Sequence, residues 1–186
     1  MSIKAQATLR TARLDLVPMG HEHRKFTMQL DMDPEVMKMV AFGRPFTEDE
    51  VIQVHTWLMG CATSVPGFGT WAGFAKGEFG GKEGGREMVR YAFEELGLTE
   101  VIGETMTINK ASQAVMAGCG LNHVETFFNK YDTPPPGIEE GGAGMVAQGK
   151  IQHNPKSLVF GLDQLAATTA PVQPLVLLFQ RPTLVA

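Results

Sequence analysis

The run from Lys82 to Leu121, KEGGREMVRYAFEELGLTEVIGETMTINKASQAVMAGCGL, limits what this chain can fold into more than any other stretch. From Lys82 to Leu96 the apolar residues Met88, Val89, Ala92, Phe93 and Leu96 recur at helical spacing, and Gly97 stands where a helix ends in a left-handed residue. Val101 to Thr107 then reads as a strand. Asn109 precedes a short helix over 111–117, whose Val115 and Met116 can pack back on a sheet, and Gly118 or Gly120 stops it. Helix, strand and helix in so few residues bury their apolar faces only as layers on a sheet, so the class is α/β. The turn at Asn109 offers a site, because polar side chains there meet the free N–H groups of a helix start.

The flanking sequence adds strands and short helices. Arg13 to Val17 alternates, with Leu14 and Leu16 on one face and Pro18 closing the run. From His21 to Val40 the apolar positions are interrupted at Asp33-Pro34, which predicts two short helices. Thr47-Glu48-Asp49-Glu50 has the form of a capping box before an apolar face of Val51, Ile52, Val54, Trp57 and Leu58, and a second helix is expected through Cys61. Phe68 to Ala75 reads as a strand with Trp71 and Phe74 in the sheet core. After Asp132 the pattern weakens: Thr133 to Gly137 is a stiff proline loop, and Gly141 to Gly149 is glycine-rich. Two apolar runs follow, Ser157 to Leu162 and Pro174 to Phe179.

With 186 residues, 44% of them hydrophobic, the chain suits one globular domain with a sizeable core. A net charge of −4 gives no basic footprint, so no nucleic-acid partner is expected. No apolar leader follows Met1 and the longest apolar run, Leu175 to Phe179, is too short to span a bilayer, so the expectation is a cytoplasmic protein with no membrane partner. Cys61 and Cys119 read as small core residues of a reducing compartment.

Tyr91 to Leu98, followed by Asn109, Ser112, Val115, Met116, Gly120 and Leu121, resembles the GNAT superfamily of acetyl-CoA-dependent N-acetyltransferases. Within it the likeness is to the branch acting on ribosomal-protein N-termini and small amines. Thr11 to Pro18 looks like that family's first strand, Asp33 to Met37 like its first helical region and Gly67 to Ala72 like its second strand, so the likeness spans 11–140. The resemblance implies an α/β, α+β-like fold: a mixed sheet with a central helix. It is incomplete here, because the few residues between Phe79 and Lys82 stand where the family has a third strand, a fourth strand and a phosphate cradle. Residues 1–140 are thus expected to be the acetyltransferase domain and 141–186 an atypical tail in which the family's closing strand is not recognisable. The tail's apolar runs could fill the sheet where strands are missing.

The resemblance implies acetyl-CoA as cosubstrate and a primary amine as acceptor, on a small molecule or a protein N-terminus. The cofactor side is expected at Asn109 and Ser112, with Gly81 and Lys82 as remnants of the cradle. The plainer reading of Asn109 is a helix cap, and of Ser112 a first-turn hydroxyl bonded to backbone. Where many members place an acidic tyrosine this chain has Met116, so no general acid is nominated. Glu104 on the strand is a candidate base, with a solvated carboxylate as the plain alternative. The other functional reading is an impaired domain that serves as a binding module. No metal is expected: His21-x-His23 lacks a third ligand nearby, and Asp31-Met32-Asp33 is too short for a calcium loop. Gly80 to Gly85 is neither a Walker sequence nor a dinucleotide fingerprint.

Overall fold

In the computed structural model of the chain, the described residues are 5–40, 43–64, 66–76, 82–128, 141–148, 157–161 and 175–180. A short hairpin opens them, β1 (Leu9–Arg10) against β2 (Leu14–Pro18), with Leu14 and Leu16 fully buried as the alternation predicts. A single 3-10 turn (His21–His23) leads into α1 (Arg24–Asp31) and α2 (Pro34–Met37), two helices separated at Asp33-Pro34. Asp33 caps the second by accepting from the Glu35 N–H at 2.8 Å.

The capping box forms: the Thr47 N–H donates to Glu50 Oε2 at 2.8 Å and the Glu50 N–H donates to Thr47 Oγ1 at 3.3 Å. It starts α3 (Glu48–Ser64), which is one helix of 17 residues; the second helix expected through Cys61 is its continuation. The buried stripe of α3 is Val51, His55 and Leu58, at i, i+4 and i+7. Trp57 falls off that stripe and is 51% exposed, so its place in the apolar face is corrected. Glu50 also pairs with Arg44 through two hydrogen bonds. Arg44 first, then the Thr47 N–H, hold its carboxyl down to about 2 against an ordinary 4.5. A depressed carboxyl stabilises the fold above its ordinary value, and that contribution is lost as pH falls through its folded value. The urea midpoint of the wild type is therefore expected to exceed that of Glu50→Gln at pH 6, and the two should converge as pH falls from 4.5 towards 2.

After β3 (Trp71–Ala75) comes the central helix, α4 (Lys82–Glu94), with Met88, Val89, Tyr91 and Ala92 buried. Gly97 adopts φ 65 as expected, and the Leu98 N–H reaches back to the Ala92 carbonyl. The central strand β4 (Glu100–Met106), α5 (Lys110–Gly118) and β5 (Asn122–Phe127) follow, and α5 ends into Gly120 at φ 94. One core cluster lies between α4, α5 and the sheet and includes Leu14, Leu16, Trp71, Met88, Tyr91, Val101, Met116 and Leu121. Cys119 belongs to it, and burial pushes its thiol up to about 11. Phe74 does not: alternation turns it to the opposite face, where it is 36% exposed and meets Phe26 edge-on at 5.7 Å. That corrects its assignment to the sheet core.

Residues beyond 141 supply three strands of the same sheet: β6 (Gly142–Gln148), β7 (Ser157–Gly161) and β8 (Leu175–Gln180). Among the described residues the sheet has eight strands in the order β1-β2-β3-β8-β7-β4-β6-β5. Residues 142–148, read in sequence as a weakly patterned run, form the strand between β4 and β5, which corrects the absence of a recognisable closing strand. The two apolar runs of the tail lie between β3 and β4. There β8 pairs antiparallel with β3, and β7 pairs parallel with β4.

Candidate active site

The candidate site lies at the C-terminal end of β4. On one side β4 pairs with β6 along its whole length, from Glu100–Gln148 to Met106–Gly142. On the other side, among the described residues, it pairs with β7 from Glu100–Ser157 to Glu104–Gly161. The chain turns directly into α5, whose first residues close the corner.

Three buried hydroxyls in this corner have no hydrogen-bond partner among the described residues: Thr105 Oγ1, Thr107 Oγ1 and Ser112 Oγ. Thr105 is 5% exposed and Ser112 is fully buried. Each such group costs roughly 1–3 kcal/mol when left unmet, and native folds leave few of them, so three together mark a place where something else supplies partners.

Of the residues expected to form the cofactor side, Asn109 and Ser112 come together here. Asn109 is 3% exposed and caps α5: its Oδ1 accepts from the Ser112 N–H at 3.0 Å, and its Nδ2 donates to the Met39 carbonyl at 3.4 Å. The helix-cap reading is thus realised, and the same side chain ties the segment after α2 to the corner. Lys82 lies elsewhere. Its stem crosses Gly118 at the far end of α5, about 13 Å along a nine-residue helix rising about 1.5 Å per residue. Gly81 lies outside the described residues. Met116, in place of a general acid, is fully buried in the core.

Lys82 belongs to a groove of about 680 Å³ on the outer side of α4, shared with Arg13, Glu83, Arg86, Glu87 and Arg90. Glu83, in the helix's first turn, is held by Thr11 and by Arg13, whose Nη2 lies 2.7 Å from Glu83 Oε2. Those contacts, Thr11 first, hold the Glu83 carboxyl below the usual range. Arg90 pairs with Glu87 and Glu94. Lys82 and Arg86 have no carboxylate partner among the described residues, which leaves the groove cationic at its Gly118 end, where Arg86 Nε donates to the Gly118 carbonyl at 2.8 Å.

Glu104 points the other way. A side chain built at Gly103 would strike Met116 and Leu121, so Gly103 faces α5 and Glu104, next along the strand, faces away from it. Partial burial first, and the charge of Glu125 second, hold the Glu104 carboxyl above its usual range. Glu125, Thr105 and Thr107 escaped the sequence reading. Thr105 lies within β4 and Thr107 just after it, where no local pattern marks a buried hydroxyl, and Glu125 lies on a strand joined to β4 through β6. Among the described residues no group of three or more His, Cys, Asp or Glu could hold a metal, and no helix is long and apolar enough to cross a membrane.

A mixed sheet with a central helix is the fold of an acyl-CoA N-acyltransferase, and comparison with known proteins agrees. The family model described as "Acetyltransferase (GNAT) domain" matches residues 80–122, the run that organises the fold. The FsC-acetyl coenzyme A-N(2)-transacetylase of Aspergillus fumigatus is 70% identical over 178 positions, covering 76% of this chain and 76% of that protein. The chain belongs to the GNAT acetyltransferase family. Because 76% of 186 residues cannot supply 178 positions, that alignment includes residues of the relative with no counterpart here. An acetyltransferase from Agrobacterium tumefaciens superposes with a TM-score of 0.58 at 16% identity, covering 77% of this chain and 95% of that one. The spermidine N-acetyltransferase from Vibrio cholerae, solved with CoA and spermine, gives 0.55 at 11% identity, covering 74% and 96%. Likeness at such low identity speaks for the fold alone.

Proposed function

We propose that this chain transfers the acetyl group of acetyl-CoA directly to a primary amine. The observation that carries the reading is the corner at the end of β4, where three buried hydroxyls with no partner among the described residues sit inside the segment matched by the GNAT domain model. The residues present fit the cosubstrate. Hydroxyls of Thr105, Thr107 and Ser112 can donate to or accept from an amide-bearing arm and its thioester, while Lys82 and Arg86 offer positive charge to phosphates. The relative's name, which joins acetyl coenzyme A to a nitrogen, supports acetyl-CoA as cosubstrate and an amine as acceptor. In the reaction the amine lone pair attacks the thioester carbonyl, the C–N bond forms, the C–S bond breaks and the thiol leaves. The protein contributes position and fixed dipoles, so its rate advantage comes from orientation and from donors already in place.

The hydroxyls supply a test that separates ligand binding from folding. Thr105→Val and Ser112→Ala remove a polar group that has no partner among the described residues, so thermal stability should stay level or rise. Acetyl-CoA affinity should fall about 2- to 10-fold per hydroxyl, the equivalent of one hydrogen bond. Unchanged affinity with lost stability would mean that these groups serve the fold and not the cosubstrate.

A further inference from the structure

Two histidines away from the candidate site are placed where an added proton disturbs the packing. The first is His55, on the buried stripe of α3 and 1% exposed. Its Nδ1 lies 3.3 Å from the Thr27 hydroxyl of α1, and its Nε2 has no hydrogen-bond partner among the described residues. Protonation would add a second N–H donor and a charge to a buried ring. The second is His23, in the 3-10 turn before α1. Its Nδ1 accepts the Gly20 N–H at 2.8 Å, while the His23 N–H donates to the Gly20 carbonyl at 3.0 Å, so the two residues close a loop of hydrogen bonds. The first of those bonds exists only while Nδ1 carries no proton, because an imidazolium has no acceptor.

The surroundings of His55 are basic. The His21 ring lies 6.1 Å from it, centre to centre. Burial first, then the charge of His21, with Arg24 and His23 after it, push the His55 imidazole below its ordinary 6.5, against an opposing pull from the Gly20 backbone. A group that takes up a proton less readily in the closed fold than in an opened one stabilises the closed form above its ordinary value, and that stability is lost as pH falls below it. The other charged groups on the packed elements have their own neighbours. Glu22 of the 3-10 turn lies 3.8 Å from His23 Nδ1, and the Lys25 ammonium of α1 sits 4.9 Å from the Phe26 ring centre. Asp31, one turn beyond Thr27 on α1, is buried and has a partner. β3 presents Phe74, 5.7 Å from the His23 ring, and Asp15 of β2, in register with Phe74, lies 2.7 Å from Lys76 Nζ.

We propose that His23 and His55 form an acid-sensitive latch: a proton taken up by either ring loosens the 3-10 turn and α1 from α3. The latch joins three parts of the fold. His55 belongs to α3, Thr27 to α1, and Gly20 follows Met19, whose N–H donates to the Thr70 carbonyl ahead of β3 at 2.9 Å. From α1 the chain runs through α2 to Met39, whose carbonyl accepts from Asn109 at the candidate site. Opening the latch therefore loosens the segment that Asn109 holds, while the core under α4 persists. The device does not depend on what the candidate site binds.

The test is amide hydrogen exchange of the full chain, read by NMR from about pH 7.5 to about pH 5 and corrected for the pH dependence of unprotected amides. Protection of Met28 and Leu30 in α1 should fall as pH drops, by up to about tenfold per pH unit for each proton taken up, with Val89 and Ala92 of α4 within about twofold. H23N and H55N each put a carboxamide oxygen, which does not titrate, where Nδ1 stood. Each variant should make the fall shallower, and the double variant should abolish it. In the wild type, nitrogen-15 ring shifts should show His23 and His55 taking up protons over the range in which α1 loses protection, a readout that needs no variant to fold. Protection in α1 that ignores pH overturns the proposal, as does a fall that persists in the folded double variant. A fall that tracks only exposed His21 or His123 overturns it too, and so does equal loss in α1 and α4, which is global acid unfolding.

Discussion

Removing residues 151–186 is expected to destroy cooperative folding. The deletion takes out β7 and β8, which are the whole sheet connection between β1-β2-β3 and β4-β6-β5 among the described residues. Three rungs of pairing to β3 and five to β4 are lost, and both strands become open edges. With a net value of about 0.5–1.5 kcal/mol for each hydrogen bond, the loss is several kcal/mol, a large share of the roughly 5–15 kcal/mol that holds a domain folded. Packing of α4 over both halves persists, since its cluster joins Leu14, Leu16 and Trp71 on one side to Val101, Met145 and Ala147 on the other. That contact leaves open edges facing each other beneath a helix, an arrangement that invites edge-to-edge association. Urea titration followed by circular dichroism, with size-exclusion chromatography, should show a broad, low transition and aggregated material. A sharp transition at the wild-type midpoint in the shortened chain would show that the tail is dispensable.

Trp71→Ala should cost about 3–5 kcal/mol, the range for large aromatic truncations in a core. Trp71 is 1% exposed, packs edge-on against Tyr91 with ring centroids 5.8 Å apart, and donates from Nε1 to the Ala7 carbonyl at 2.7 Å. The substitution opens a cavity under α4, removes an aromatic pair and leaves the Ala7 carbonyl without that donor. Trp71→Phe keeps most of the packing and should lose much less. Equilibrium urea unfolding of the two variants measures the difference. A loss below about 1 kcal/mol for the alanine variant would mean that the site collapses around the gap.

The helix-strand-helix unit was legible because its signals are local and agree with one another: a 3.6-residue period from Met88 to Leu96, Gly97 at the left-handed position, Asn109 at the cap and Gly120 beyond α5. β6 was not legible. Its Gly142, Ala143 and Gly144 are too small to show an alternation, and Phe127 and Glu125 of β5 occupy the space that side chains at Gly142 and Gly144 would take. Trp57 and Phe74 misled for the opposite reason, since an aromatic residue suggests burial while helix phase and strand alternation turn these two outward. Placement of the tail strands was foreseeable only as an apolar capacity to fill a gap. The candidate site divides the same way: the cap at Asn109 could be read directly, whereas the buried state of Thr105 and Ser112 is a property of the assembled corner.

The central claim is that the shortened domain, with its sheet completed by β7 and β8, still holds acetyl-CoA at the end of β4. Calorimetric titration of the full chain with acetyl-CoA tests this most directly. Saturable heat with a micromolar dissociation constant, about −8 kcal/mol of binding free energy, is the expected result. An absence of heat at millimolar acetyl-CoA, with the protein folded as judged by circular dichroism, would contradict it.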